Sequence, residues 1–206
     1  MKERPIIFSA EMVRAILDGR KTQTRRVIKG TFIKEGYDPI HNDNLYRFIA
    51  PYGCAANKDR DEFADEVARW CPYGAPGGQL WVRETFGIIS KGIGFNAYDE
   101  YVYRADDRGD AADIKWRPSI HMPRVASRIT LEIVSVRVEK LQEISGHDVL
   151  AEGVDNGKSN PKMGIRWENM QRLAYATLWD HLNAKRGFGW DMNPWVWVNE
   201  FKRIKP

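Results

Sequence analysis

Cysteine and histidine are scarce in this chain, with two and four among 206 residues. Cys54 and Cys71 stand far apart across a polar stretch, so there is no disulfide framework and no close ligand pair such as Cys-x2-Cys. His41, His121, His147 and His181 are equally dispersed, and neither a metal nor a cofactor is expected. Long apolar runs are missing too. Nothing approaches the roughly 18 residues of a membrane span, and "MKERPIIFSA" turns polar too early for a secretory leader. A cytoplasmic protein with no membrane partner is the expectation. No Gly-rich phosphate loop, Ser-His-Asp ordering or internal repeat is present.

What is present is a real core: 43% of the residues are hydrophobic, which suits one globular domain over 1–206 carrying insertions. The formal charge of +4 permits an anionic partner. Its densest basic stretch is "DGRKTQTRR", residues 18–26. "PIIFS" before it reads as a strand, with Ser9 placed to cap a helix carrying Met12, Val13, Ile16 and Leu17 on one face. Gly19 suits the left-handed position that ends such a helix. The basic stretch is therefore expected on a sharply turned loop outside the core.

Two segments, about 30–78 and 87–115, are rich in Gly, Pro, Asn and Asp and read as irregular insertions. The first is expected to hold a helical piece from Glu62 to Trp70, and the second a short strand, "EYVYRA". "GQLWVRETF", "VASRITLEIVSVRVEKL" and "PWVWVNEFKRI" read as strands. In the second of these, Ile129, Leu131 and Ile133 share one face, and Val134, Val136 and Val138 are expected on the other. Such a phase switch marks a bulge or a barrel corner. "SGHDVLAEG" reads as a short capped helix ending at Gly153, and "GKSNPKMG" as a polar loop. A longer helix, about 166–184, is expected to bury Trp167, Met170, Leu173, Ala174, Leu178 and Leu182. The elements together predict an α+β fold: a small β-barrel with helices at its mouth.

Four blocks, "ILDGRKTQTRR", "GQLWVRE", "SIHMPRVASRITLEIVSVRVEKLQEISGHDVLAEGV" and "WVWVNEF", resemble an ASCH domain of the PUA-like superfamily. The similarity is to the larger variants often carried by phages and prophages. It spans residues 5–29, 78–85, 117–154 and 195–204. It implies a PUA-like barrel with a cleft for a nucleobase, nucleotide or RNA segment. A compact branch of the family removes the acyl group from N4-acetylcytidine, and its motif falls here on Lys21, Thr24 and Glu152. Arg25 stands where that branch has an apolar residue, and this chain is about twice the compact length.

The residues themselves suit such chemistry. Amide hydrolysis without metal needs a nucleophile, a base and a proton donor for the leaving amine. Thr24 supplies a hydroxyl. Lys21 is the candidate base: beside Arg20, Arg25 and Arg26 it is expected to have a lowered pKa, since neighbouring positive charge disfavours its own. Glu152 supplies the donor. Arg20, Arg25 and Arg26 are candidate phosphate ligands. Glu84 faces either the cleft or an arginine, and Trp81 and Trp116 are candidate stacking surfaces beside the insertions. Three functions fit: an N4-acylcytidine amidohydrolase, a non-catalytic binder of RNA or of a modified base, or a phage accessory protein whose insertions contact a protein partner.

Overall fold

The computed structural model describes residues 3–28, 71–92, 98–107, 109, 114–154 and 164–204. The expected helix at 62–70, Cys54, His41 and most of the loop "GKSNPKMG" lie outside the described residues.

The chain opens with β1 (Glu3–Ile7) and α1 (Ala10–Leu17). Ser9 is extended and its hydroxyl accepts from the Met12 amide at 3.4 Å, the cap that its position predicts. Gly19, at φ 75°, turns the chain, and the Arg20 and Lys21 amides both donate to the Ala15 carbonyl. Here the expectation of a loop fails: β2 (Gln23–Val27) is a strand. β3 (Gln79–Arg83), β6 (Thr130–Lys140) and β7 (Trp195–Ile204) are the three strands read from the sequence. All three join β1 and β2 in one mixed sheet of order β1-β3-β6-β7-β2. Only the β1–β3 pair is parallel.

The sheet is open among the described residues, with β1 and β2 as its edges, where the sequence predicts a closed barrel. Those edges are nevertheless tied: Arg26 on β2 donates from Nη2 to the Ile7 carbonyl at 2.6 Å. Within the expected second insertion, β4 (Phe86–Lys91) and β5 (Tyr98–Tyr103) form a hairpin of their own. That segment is more regular than its turn-rich composition suggests.

The phase switch in β6 is a bulge between Ile133 and Ser135. Its effect differs from the expected exchange of faces. Val134 is the extra residue and is 50% exposed, while Val136 returns to the cluster that holds Ile129, Leu131 and Ile133. One inserted residue restores the phase of the strand.

Residues on alternate sides of β7 serve two cores. Trp197 and Phe201 pack with Phe8, Val13, Ile16 and Leu80, whereas Val196 and Val198 pack against Leu141, Val149, Tyr175 and Trp179. Of these, Val149 lies on α2 (Gly146–Ala151), Tyr175 and Trp179 on α3 (Ile165–Asn183), and Leu141 on a 3-10 turn that follows β6. α3 is rotated from the expected face. Trp167, Gln171, Tyr175 and Trp179 are buried, while Leu173 is 69% exposed and Leu182 46%. The core-facing series runs at i, i+4 through a glutamine.

Candidate functional site

Four polar or charged residues of the basic stretch are buried: Lys21, Gln23, Thr24 and Arg25. Their setting follows from the strand register. Thr24 lies opposite Asn199, and Arg25 opposite Val198, so the two point to opposite faces of β2. Arg25 reaches the side of α2 and α3, and Thr24 the side of α1.

α2 brings the counter-charges. Ser145 and Asp148 form a reciprocal cap at its start, as their spacing predicts. Glu152 ends the helix, and Gly153 turns at φ 80°. A β-bridge joins Lys21 to Glu152, and the Thr22 amide donates to the Ala151 carbonyl at 2.8 Å. Gly153 is required twice over, because a Cβ there would stand 2.8 Å from the Ala15 Cβ and 2.9 Å from the Lys21 Cβ.

The Lys21 Nζ lies 2.7 Å from the Glu152 carbonyl, 2.8 Å from the Gln23 carbonyl and 2.8 Å from Glu152 Oε2. Two of its protons are committed to backbone oxygens, so its third position faces the carboxylate. Burial holds the Lys21 pKa below its ordinary value, Glu152 opposes that shift, and Arg26 and Arg25 add to it. The expected lowering is present with a different leading cause: loss of water outweighs the arginines. Arg20 has no part in it, being exposed and paired with Asp18.

Arg25 is saturated. It contacts Glu152 Oε1 at 3.2 Å, Glu139 Oε1 through Nε and Nη2, and Asp148 Oδ2 at 3.4 Å. Burial disfavours its charge, but Glu152 and Glu139 more than offset this and raise its pKa. Arg137 extends the network to Glu139, Asp148 and Glu200. The Gln23 amide donates to the Asp148 carboxylate at 2.9 Å. Asp148 is held below its ordinary pKa: burial alone would raise it, and hydrogen bonds from Gln23 and Ser145 override that. The anion-binding roles expected of Arg20 and Arg25 are thus occupied by internal carboxylates.

Above this network lies a cleft of about 240 Å³ that wraps the edge strand β2. Thr24, Arg25, Arg26 and Glu152 line its polar part, and Tyr73, Tyr175, Trp179 and Phe188 its aromatic walls. Lys21 is not in its lining; it sits behind Glu152. The Thr24 hydroxyl has no hydrogen-bond partner among the described residues. Burial, reinforced by Glu152, holds the Tyr175 phenol well above its ordinary pKa, so it stays protonated.

Three other candidates lie elsewhere. Glu84 is buried in an ion pair with Arg128, which also binds Asp106 and stacks on Tyr103. Trp81 faces Arg83 and Arg124, and Trp116 faces Arg104. None of the three lines the cleft. Sequence reasoning missed Glu139, Tyr175, Trp179 and Phe188 as site residues. The i, i+4 series on α3 was the available signal for Tyr175 and Trp179, masked by its glutamine. No group of three or more metal-ligating side chains occurs among the described residues, and no described helix is long and apolar enough to cross a membrane.

No protein-family profile and no curated protein matches the chain. Among solved structures, a crystal structure of an ASCH domain from Lactobacillus crispatus JV V101 is similar over 98% of this chain and 79% of that one. The identity is 10% and the TM-score 0.36.

Proposed function

We propose that the cleft is a nucleobase site and that it hydrolyses the amide of N4-acylated cytidine without a metal. The observation that carries this reading is that an unpartnered hydroxyl, Thr24, and a buried carboxylate, Glu152, open onto one aromatic-walled cleft. Its walls can take a planar base, and its polar part meets the exocyclic nitrogen.

Chemistry then divides between groups that touch the substrate and a group that acts through them. Thr24 Oγ attacks the acyl carbon, and Glu152 takes the hydroxyl proton. Collapse of the adduct breaks the C–N bond, and the same proton passes to the departing cytosine amine. Water next cleaves the threonine ester, releasing the carboxylic acid and restoring the hydroxyl. Lys21, 2.8 Å behind Glu152, is a positioning residue: it holds the carboxylate and shares its proton. This arrangement differs from a direct base role for Lys21, because both of its other acceptors are backbone carbonyls.

The test is conversion of N4-acetylcytidine to cytidine in the presence of a chelator. Thr24→Ala abolishes turnover, Thr24→Ser retains part of it, and Glu152→Gln slows it by about 10²–10⁴-fold. Folded protein that turns over no N4-acylcytidine refutes the hydrolase. A non-catalytic binder of RNA or of a modified base is the second reading, favoured by the clamping of Glu152 between Lys21 and Arg25. It predicts binding of the same ligands without turnover.

A further inference from the structure

Among the described residues, three guanidinium groups line the cleft, and they are not equivalent. Arg25 is spent on three carboxylates. Arg26 is only partly used: Nη2 donates to the Ile7 carbonyl, the group lies 5.3 Å from the Phe8 ring, and Nε is buried with no partner. Arg186 is exposed and enters no hydrogen bond, ion pair or ring contact among the described residues.

The backbone that carries Arg186 is well tied, in contrast to its side chain. A 3-10 turn, Ala184–Arg186, continues α3 and ends at Gly187 with φ 81°. The Gly187 amide donates to the Ala184 carbonyl at 3.0 Å and the Phe188 amide to the Asn183 carbonyl at 3.2 Å. Trp179 Nε1 then fixes the Phe188 carbonyl at 2.7 Å. A guanidinium with no partner among the described residues is therefore presented from a fixed turn at the end of α3, and Arg26 lines the same cleft from β2. Arg26 Nη1 makes no hydrogen bond among the described residues, and a ligand oxygen can take it. Two planar forks of this kind match the oxygens of a phosphate.

We propose that the ligand of this cleft carries a phosphate group, bound between Arg26 and Arg186. The ligand is then a phosphorylated nucleotide, free or within an RNA strand, in preference to a bare nucleoside. This rests on the reading of the cleft as a nucleobase site. The aromatic walls take the base, and the phosphate lies toward the mouth, away from the carboxylates beneath Arg25.

Calorimetric titration of the full chain with cytidine, its 5′- and 3′-monophosphates and a cytidine-centred trinucleotide tests this. At low salt one of the phosphorylated ligands is expected to bind about ten- to hundred-fold tighter than cytidine, as charge-assisted hydrogen bonds would give. In Arg186→Gln that ratio should fall by about tenfold or more, and its salt dependence should flatten. A trinucleotide that outbinds both monophosphates assigns the phosphate to an RNA strand; equal or weaker binding assigns it to a mononucleotide. Equal affinity for cytidine and all phosphorylated forms overturns the inference and leaves the nucleobase site standing, as does a preference unchanged in Arg186→Gln. Binding of none of the four removes the nucleobase reading and this inference with it.

Discussion

Replacing Lys21 by methionine swaps a buried ammonium for an apolar chain of similar length. Three contacts vanish: those to the Gln23 carbonyl, the Glu152 carbonyl and Glu152 Oε2. Glu152 keeps one cation, Arg25 at 3.2 Å. Removing one partner of a buried ion pair costs about 3–5 kcal/mol. The surviving arginine places Lys21→Met near the low end, about 3 kcal/mol, or about 6–12 °C in Tm for a chain of this size. Adding Glu152→Gln neutralises the stranded carboxylate, so the double variant should lose less than the sum of the two single changes. Urea denaturation of the four proteins completes the cycle. pH gives a second readout. Burial lowers the folded-state pKa of Lys21 below 10.5, against the pull of Glu152. The unfolded chain then binds more protons than the folded one between that lowered value and 10.5, so wild-type stability rises with pH across this window. Lys21→Met should lose that rise. A cost under about 1 kcal/mol, or strict additivity with Glu152→Gln, would refute a buried Lys21–Glu152 charge pair.

Other expectations come from single sites. Arg128→Met strands buried Glu84 and should cost about 3–5 kcal/mol, most of it recovered by adding Glu84→Gln, as thermal melts would show. Gly153→Ala must accept both φ 80° and two Cβ contacts under 3.0 Å, whereas Gly19→Ala at φ 75° meets open space. The first should cost about 2–5 kcal/mol and the second about 1–2 kcal/mol by denaturant titration. Asn199 is fully buried with Nδ2 unpartnered. Asn199→Leu should therefore raise stability by about 1 kcal/mol, and a loss of similar size would show that the amide is satisfied in solution.

Much of the scaffold was legible because it follows from local chemistry. Ser9, Gly19, Ser145 and Gly153 each sit where cap or turn geometry puts them, and β-branched or aromatic residues mark β3, β6 and β7. The basic stretch was misread for a physical reason. Charge density argues for solvent, but Lys21 and Arg25 are buried because Glu139, Asp148 and Glu152 arrive from more than a hundred residues away. Long-range neutralisation leaves no mark on local spacing. α3 was misplaced by the opposite effect. Leu173 and Leu182 look like core by type, yet Trp167, Gln171, Tyr175 and Trp179 take the buried face. The bulge at Val134 was visible as a phase change, but its outcome, a return to the same core, needed the register of β7.

The separation of 131 positions from Lys21 to Glu152 also has a meaning in time. A ribosome adding about 5–20 residues per second needs roughly 7–26 seconds to travel that distance. During this interval Lys21 has no carboxylate to meet, and β2 has no β7 beside it, since that strand begins only at Trp195. The cleft therefore cannot be assembled outward from the N-terminus as the chain emerges. Nascent chains halted before Glu152 should expose residues 21–25 to trypsin, which cuts after lysine and arginine, while completed chains protect them. Lys21 and Arg25 are thus open to cellular polyanions for much of the synthesis and withdrawn from them at the end.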